Sequence, residues 1–260
     1  MSKTALITGA CINTGVAIVE KFAAEGYDVV FTGRSQESVT SAQKTYREKF
    51  PEVNIRGYVL PSLTEDGQAD EQGVAELFET LDHAGIFVET LVLNAADQGL
   101  GQKIFENPLE DFVRVLHTNV VWNYCLCEQA AKRMKERGSG NIVFVNSNTA
   151  YRAIPDRISY VTSKGGQLGL MRALAMDLGK YGIRVNAVLP GMIRTDRWVK
   201  NPEFYAKVPS KYTPIGDVAD GTDVADAVYY FAAHARNTTG AELVVDGGNT
   251  IQLYPIIPEN

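Results

Sequence analysis

Cysteine and histidine are scarce in this sequence, which has only three of each in 260 residues. Cys125 and Cys127 lie two positions apart, and no pair of histidines completes a zinc-binding spacing with them. Three cysteines are also too few for the disulfide framework that is typical of small secreted proteins. We therefore expect no metal site and a location in the reducing cytoplasm.

An excess of positive charge and long apolar runs are missing as well. The chain has 25 lysines and arginines against 31 aspartates and glutamates, and its net charge is −6. Surfaces that bind nucleic acid are normally basic, so no nucleic-acid partner is expected. No apolar run approaches the roughly 20 residues of a membrane helix. The segment MSKTALITGA holds too few apolar residues for a signal peptide, and we expect no membrane association.

Predicted strands alternate with predicted helices along nearly the whole chain. The strands are expected at 5–7, 29–31, 53–60, 91–93, 142–145, 184–189 and 243–245. Between them, apolar residues recur at helical spacing up to a glycine or a proline. Strands joined by helices run parallel, and strands that are apolar throughout have both faces covered. The sequence therefore predicts one α/β domain over residues 1–260, a doubly wound parallel sheet of about seven strands with helices on both faces.

Residues 192–216 interrupt this alternation. The segment contains Pro202, Pro209 and Pro214 and is too long for an ordinary connection between two elements. Long ordered insertions beside an open sheet often cover a substrate. We therefore predict a substrate lid at about 192–216.

A glycine-containing turn follows the first strand and opens the first helix, with the sequence TGACINTG at positions 8–15. A turn at this place directs free backbone N–H groups and the positive helix end at an anion. Gly9 gives the tight turn, and Gly15 allows close approach. An ordinary strand-to-helix turn is the alternative, but the βαβ context favours a nucleotide phosphate. Cys11 is interpreted as a small filler residue in this turn.

The turn resembles the TGxxxGxG motif of the short-chain dehydrogenase/reductase family. The resemblance implies a Rossmann-like fold and a dinucleotide held by Gly9, Asn13, Thr14 and Gly15. Asn13 stands where the motif has its middle glycine, and asparagine tolerates a left-handed backbone better than most residues.

The end of the second strand bears on the choice between the two nicotinamide cofactors. Gly33 offers no acid to the ribose 2′-hydroxyl of NAD, whereas Arg34 offers a cation to the 2′-phosphate of NADP. We therefore predict NADP(H), with NAD(H) as the alternative. A solvated surface arginine is the other interpretation of Arg34.

Three polar residues form the candidate catalytic group. Tyr160 and Lys164 lie four positions apart on a predicted helix, so their side chains share a face. A nearby cation lowers the pKa of a phenol toward working pH, where proton transfer is most effective. A surface pair is the alternative. Ser147 follows the fifth strand, at the sheet edge where ligands bind in parallel folds.

The resemblance extends to these residues and implies their roles. Tyr160 is the expected proton donor or acceptor, Lys164 holds the nicotinamide ribose, and Ser147 binds the substrate oxygen. Asn119 in the long helix is expected to position a relay water, although a satisfied helix-interior amide is the alternative. Further cofactor contacts are implied for the following residues: Ser62, Leu63, Asn94, Pro190, Gly191, Ile193 and Thr195.

The resulting hypothesis is an NADP(H)-dependent oxidoreductase that interconverts a secondary alcohol and a ketone. Its small-molecule substrate is expected to be a sugar, a polyol or a steroid, because aromatic residues of the lid offer stacking surfaces; they are Trp198, Phe204, Tyr205 and Tyr212. A 3-oxoacyl-carrier-protein reductase and a non-catalytic dinucleotide sensor are the alternatives. The resemblance also implies a homotetramer.

Overall fold

A seven-stranded parallel sheet forms the centre of the protein. The computed structural model describes residues 3–206 and 208–255. The ends of the predicted domain (1–2 and 256–260), residue 207 of the predicted lid and the side chains of Phe204 and Tyr205 lie outside that description. The strands are β1 (Thr4–Ile7), β2 (Asp28–Gly33), β3 (Ile55–Val59), β4 (Thr90–Leu93), β5 (Gly140–Val145), β6 (Ile183–Pro190) and β7 (Glu242–Val245).

Helices cover both faces of this sheet. They are α1 (Asn13–Ala24), α2 (Gln36–Lys49), α3 (Glu71–His83), α4 (Leu109–Leu116), α5 (Trp122–Arg137), α6 (Ile158–Leu178), α7 (Asp196–Lys200), α8 (Pro202–Tyr205), α9 (Val208–Tyr212) and α10 (Gly221–Tyr229). One core cluster joins the sheet to α1, α2 and α10, and a second joins it to α3, α5 and α6. The predicted single-domain, doubly wound α/β fold is therefore confirmed.

The order of the strands places the candidate site. It is β3-β2-β1-β4-β5-β6-β7, and every pair is parallel. The chain builds outward from β1 to β3 and then returns to β4 on the other side of β1. In such sheets, ligands bind beyond the carboxyl ends of the strands where the order reverses. The segments that follow β1, β4, β5 and β6 converge at this edge.

The long helix predicted over 109–137 contains one local difference from a regular α-helix. A π-helical turn, His117–Val121, separates α4 from α5. Turns of this kind are frequent at functional sites because the extra residue redirects a side chain. Asn119 lies at the middle of this turn and is fully buried.

The predicted lid segment is built from short helices. The helices α7, α8 and α9 lie between β6 and α10, within the range 192–216. Among the described residues, no helix is long and apolar enough to span a membrane.

Candidate functional site

The turn between β1 and α1 has the backbone geometry of an anion-binding loop. Gly9 has φ +63° and Asn13 has φ +49°, so the asparagine adopts the left-handed backbone expected of it. Ile12 precedes the helix in an extended conformation, and no side chain caps the first turn of α1. The first N–H groups of a helix have no partner within it. At this turn they are available to a phosphate.

Neighbouring segments hold the turn in place. Thr8 Oγ1 accepts from the backbone N–H groups of Asn94 and Ala95 at 3.0 and 3.1 Å. The Asn94 side chain donates to the carbonyl oxygens of Thr8 and Gly9 at 3.0 and 3.1 Å. On the other side, the Tyr46 hydroxyl donates to the carbonyl of Ala10 at 2.5 Å. Asn94 therefore holds the turn between β1 and α1 against the end of β4, and Tyr46 is a support that the sequence analysis did not identify.

Gly15 is required by packing within the turn itself. A Cβ atom at this position would lie 2.7 Å from both Ala10 Cα and Gly9 O, which are backbone atoms that cannot rotate away. We expect Gly15→Ala to destabilise the protein by about 1–3 kcal/mol, the usual range for overpacking. Because the turn must move, cofactor affinity should fall as well. Thermal unfolding and a fluorescence titration with cofactor measure the two effects.

Gly169→Ala is the matched control for this prediction. Gly169 lies in α6, and a Cβ there meets nothing within 4 Å. This variant should be slightly stabilised, because alanine favours a helix over glycine by roughly 1 kcal/mol. Equal behaviour of the two variants would contradict the packing argument at Gly15.

The carboxyl end of β2 is closed to an acidic side chain. A Cβ at Gly33 would lie 2.5 Å from Cys11 Sγ and 2.8 Å from Val39 Cγ2. The thiol thus fills the space that the acid of an NAD-type site would need, and burial raises the pKa of Cys11, which agrees with a filler role. Arg34 follows at once and is exposed. Among the described residues, no salt bridge includes its guanidinium.

The segment after β3 lies next to the long helix. Ser62 Oγ and Thr118 Oγ1 are 3.2 Å apart, and either hydroxyl can donate. Leu63 pairs with Ala69 in an isolated bridge. Ser62 and Leu63, two of the residues expected to contact the cofactor, are partly buried and follow the carboxyl end of β3.

Ser147 and Tyr160 meet at the carboxyl edge of the sheet. Ser147 follows β5 and is buried, and its Oγ accepts from Thr149 N at 3.2 Å and from Thr149 Oγ1 at 3.0 Å. Tyr160 lies in the first turn of α6. Burial raises the pKa of its phenol, while a hydrogen bond with Ser147 and the charge of Arg157 lower it. The expected lowering by Lys164 does not prevail in the free protein, because burial is the larger influence.

Lys164 is fully buried one helical turn beyond Tyr160. Its Nζ lies 5.5 Å from the centroid of the Tyr160 ring and donates to Val145 O and Gln167 Oε1, each at 3.1 Å. Burial lowers the pKa of this ammonium from 10.5 to about 7. A surface pair of Tyr160 and Lys164, the alternative interpretation, is therefore wrong.

Asn119 joins three segments of the site. Its Nδ2 donates to Asp97 O at 2.8 Å and to Ser163 Oγ at 2.9 Å, and its Oδ1 accepts from Asp97 N at 2.8 Å. Ser163 Oγ donates in turn to the carbonyl of Tyr160 at 2.7 Å. The amide therefore holds the loop after β4 and the start of α6 against the π-helical turn.

The segment after β6 closes the site on its far side. Pro190 ends β6, and a Cβ at Gly191 would lie 2.5 Å from Asp246 Cβ, so only glycine fits there. Ile193 pairs with Ala219 in a parallel bridge, and the carbonyl of Thr195 accepts from Trp198 N at 2.8 Å. These contacts place 190–195 along the carboxyl edge, beside the turn that carries Ser147.

Two buried amides in the site were missed by the sequence analysis. Asn146 Nδ2 donates to Lys164 O at 3.0 Å and to Gln167 Oε1 at 3.1 Å, and its Oδ1 accepts from Ser147 N at 2.7 Å. Gln167 is buried on the face of α6 that also carries Lys164. Its spacing of three from Lys164 was the available signal, since such residues are neighbours on a helix.

The residues present fit a nicotinamide dinucleotide. Three features follow one edge of the sheet from β2 to β5: a turn with uncapped helix N–H groups, the exposed cation of Arg34 after β2, and a buried lysine beside a phenol. Within 3–206 and 208–255, no group of three or more His, Cys, Asp or Glu side chains is arranged to hold a metal ion.

Comparison with known proteins agrees with this geometry. A family model described as Enoyl-(Acyl carrier protein) reductase matches residues 9–250. The 3alpha-hydroxysteroid dehydrogenase of Mediterraneibacter gnavus is 34% identical over 249 residues, which cover 95% of this chain and 96% of that protein. The glucose 1-dehydrogenase of Gluconobacter oxydans is 32% identical over 255 residues, which cover 96% of this chain and 92% of that protein.

Solved structures share the fold over nearly the full length. A putative gluconate dehydrogenase from Agrobacterium tumefaciens has a TM-score of 0.88 at 30% identity and covers 96% of this chain and 97% of its own. ElxO with NADP bound has a TM-score of 0.86 at 28% identity, with coverage of 97% and 100%. An NAD+-bound xylitol dehydrogenase has a TM-score of 0.82 at 28% identity, with coverage of 95% and 98%. Because model, relatives and structures match almost end to end, this chain belongs to the short-chain dehydrogenase/reductase family and is an oxidoreductase that uses a nicotinamide dinucleotide.

Proposed function

We propose that the protein interconverts a secondary alcohol and a ketone with NADP(H) as its cofactor. The observation that carries this proposal is the meeting of Ser147 and Tyr160 at the carboxyl edge, with Lys164 buried directly behind them. A hydroxyl and a phenol side by side can both hydrogen-bond one substrate oxygen, and a phenol that faces that oxygen can exchange a proton with it.

Each residue has a distinct part in the proposed reaction. A nicotinamide held at this edge would supply hydride transfer to or from the substrate carbon. Tyr160 takes the hydroxyl proton of an alcohol or protonates the oxygen of a ketone, and Ser147 holds that oxygen in line. Lys164 binds the nicotinamide ribose and stabilises the phenolate. Asn119 holds the loop after β4 and the start of α6 in position through its hydrogen bonds to Asp97 and Ser163.

The proposed cofactor contacts follow the edge of the sheet. The turn formed by Gly9, Asn13, Thr14 and Gly15 would hold the pyrophosphate of the cofactor, and Ser62 and Leu63 would contact its adenine. Asn94 supports the turn from β4. Ile193 and Thr195 would hold the carboxamide of the nicotinamide, and Pro190 and Gly191 would line the cofactor site just before them.

The preference for NADP(H) rests on Arg34. Because its guanidinium is exposed and unpaired among the described residues, it can meet a 2′-phosphate in charge-assisted hydrogen bonds. We expect Arg34→Ala to raise the Kd of NADPH by about 10- to 100-fold, the equivalent of about 1.5–3 kcal/mol. The Kd of NADH should change little, since NADH lacks that phosphate.

Isothermal titration with both cofactors measures this difference. Arg56→Ala is the control, because Arg56 is an exposed arginine within the neighbouring strand β3 and away from its carboxyl end. Equal loss of NADPH and NADH affinity in the Arg34 variant would contradict the assignment.

We propose that residues 192–216 cover the substrate. The segment begins with the proposed nicotinamide contacts Ile193 and Thr195, and it is tied to the turn after β7 by Asn249 Nδ2, which donates to Tyr212 O at 2.8 Å. Arg194 is anchored by Asp217 at 2.6 Å and by Asp220 at 3.2 Å. The names of the relatives support a sugar, polyol or steroid alcohol as substrate, and the description of the family model supports an acyl-carrier-protein thioester as the alternative.

We also propose a cytoplasmic homo-oligomer, in particular a tetramer. Exposed apolar side chains along the long helix support contacts between copies, namely Leu109, Val121 and Tyr124. Free thiols at Cys125 and Cys127 suit a reducing compartment. Sedimentation velocity determines the oligomeric state, and a monomer at working concentration would contradict this proposal.

A substrate panel tests the proposed function. Sugars, polyols, hydroxysteroids, simple 2-alkanols and a 3-oxoacyl thioester are each mixed with NADP(H) and with NAD(H), and the absorbance of the reduced nicotinamide is followed. The proposal predicts turnover of an alcohol or ketone, faster with NADP(H). Tight cofactor binding with no turnover of any compound would instead support a dinucleotide sensor.

A further inference from the structure

The main-chain carbonyl oxygen of Asn119, the residue that is expected to position a relay water, is hydrogen-bonded by two side chains. Gln167 Nε2 donates to it at 2.6 Å, and Asn123 Nδ2 donates at 2.9 Å. A carbonyl oxygen has two lone pairs, so these amides satisfy it. Both side chains are buried.

The other end of the Gln167 amide reaches Lys164. Gln167 Oε1 accepts from Lys164 Nζ at 3.1 Å and from Asn146 Nδ2 at 3.1 Å. The side chain thus links the lysine directly to Asn119 through one rigid amide. The resemblance implies a relay that runs from Lys164 through a water positioned by Asn119, and the Gln167 amide lies between these two residues.

We propose that Gln167 is a positioning residue that holds the Lys164 ammonium in place of a relay water. This inference rests on the proposed function for its catalytic meaning. An ammonium has three donors, and two of them are directed to Gln167 Oε1 and Val145 O. The third remains for the ribose of the cofactor. Because an amide accepts through oxygen and donates through nitrogen, it aligns Lys164 but transmits no net proton to Asn119.

The hydrogen bond from Lys164 Nζ to Gln167 Oε1 stabilises the charged form of the lysine, whereas burial favours its neutral form. Burial lowers the pKa of Lys164 to about 7. The phenol of Tyr160 is the titratable group next to it. Within the described residues, the elements packed around Lys164 carry further titratable or charged side chains, namely Asp97, Arg114, His117, Cys127 and Arg157. Asp97 and Arg114 form a salt bridge with each other. Among these, no carboxylate bonds to the ammonium, and Gln167 Oε1 is the side-chain oxygen that does.

Two substitutions of Gln167 should shift the pKa of Lys164 in opposite directions. Gln167→Met keeps the size of the side chain and removes the acceptor, so the pKa of Lys164 should fall by about one unit, as for the loss of a hydrogen bond to a charged group. Gln167→Glu places a carboxylate beside the ammonium, so this pKa should rise by at least about one unit. A merely structural role would destabilise both variants without this divergence.

The titration is measured on the cofactor-free protein, by NMR of 13C-labelled lysine. The Lys164 signal is assigned by its loss in Lys164→Met. Asn123→Leu is the matched control, because it removes the other donor to Asn119 O and does not touch Lys164. This variant should lose thermal stability and keep the Lys164 midpoint. A midpoint that is unchanged, or that moves the same way in both Gln167 variants, would overturn the proposal.

A second readout connects the same variants to catalysis. In alcohol oxidation, the loss of activity at high pH that reports Lys164 deprotonation should shift down in Gln167→Met and up in Gln167→Glu, by about the same one unit as in the NMR titration. If the wild-type protein oxidises no alcohol, the proposed function fails while the NMR titration still decides the role of Gln167. If activity is present and the NMR midpoints do not diverge, only the role of Gln167 fails.

Discussion

Tyr160→Phe should lower kcat by at least about a thousandfold, within the range that general acid–base groups contribute. The variant keeps the ring and loses only the phenol oxygen that we propose exchanges the proton. Cofactor affinity should stay within a few-fold of wild type, because the ring still packs beside Lys164. Steady-state rates and a cofactor titration by fluorescence measure the two quantities separately.

Tyr181→Phe is the control for this variant. Tyr181 lies at the far end of the same helical segment, in the 3₁₀ turn after α6, where its ring contacts Lys135 and Lys180. Its kcat should equal that of wild type. A Tyr160→Phe protein with more than a tenth of the wild-type rate would reject Tyr160 as the proton-transferring group.

Lys164→Met should reduce kcat by at least about a hundredfold and should also change how stability depends on pH. The folded-state pKa of Lys164 is lowered to about 7 from 10.5. Between these values the unfolded chain binds a proton that the folded protein lacks, so wild-type stability rises with pH in this window. Below this window, Lys164 is protonated in both the folded and the unfolded protein, so it does not make stability depend on pH. From pH 7 to pH 9 this contribution is about 2–3 kcal/mol.

The variant lacks that contribution, so its unfolding free energy should increase less than that of wild type between pH 7 and pH 9. Urea unfolding of the cofactor-free proteins at the two pH values gives the difference. Lys132→Met, at an exposed lysine of α5 paired with Glu128, should follow the wild-type slope. Identical slopes for all three proteins would show that Lys164 keeps an ordinary pKa.

The architecture was predictable because the local sequence patterns indicate alternating strands and helices, and this alternation is the one that a parallel sheet requires. Each buried strand reads as a short apolar run, and glycine or a capping residue marks most helix ends. Ser35 is one example: serine is a preferred N-cap residue, and its hydroxyl accepts from Ser38 N at the start of α2. The i,i+4 spacing of Tyr160 and Lys164 likewise placed both side chains on one face of a helix.

The electrostatics of the site were not predictable in the same way. The spacing of Tyr160 and Lys164 suggested a phenol with a lowered pKa, yet burial reverses the direction for the free protein. Burial depends on packing from β5, the π-helical turn and the loop after β4, which are distant in sequence. Cys11 shows the same limit, since its contact with Gly33 exists only once β1 and β2 pair.

The amide network behind the site depended on three-dimensional contacts too. Asn119 and Gln167 are 48 positions apart in the sequence. Asn119 also lies in a π-helical turn, which the spacing of apolar residues in the sequence does not reveal. Only the spacing of Gln167 from Lys164 was visible in the sequence. A polar residue on a buried helix face indicates a hydrogen-bonded network, but it does not name the partners.

The most direct test of the proposed chemistry is a crystal structure of the wild-type protein with NADP+ and a ketone product identified in the substrate panel. The account predicts that the ketone oxygen lies within hydrogen-bonding distance, about 2.6–3.2 Å, of both Tyr160 Oη and Ser147 Oγ. It also predicts that the carbonyl carbon faces the nicotinamide ring. A ketone oxygen bound to other groups, with Tyr160 turned away from it, would contradict the account.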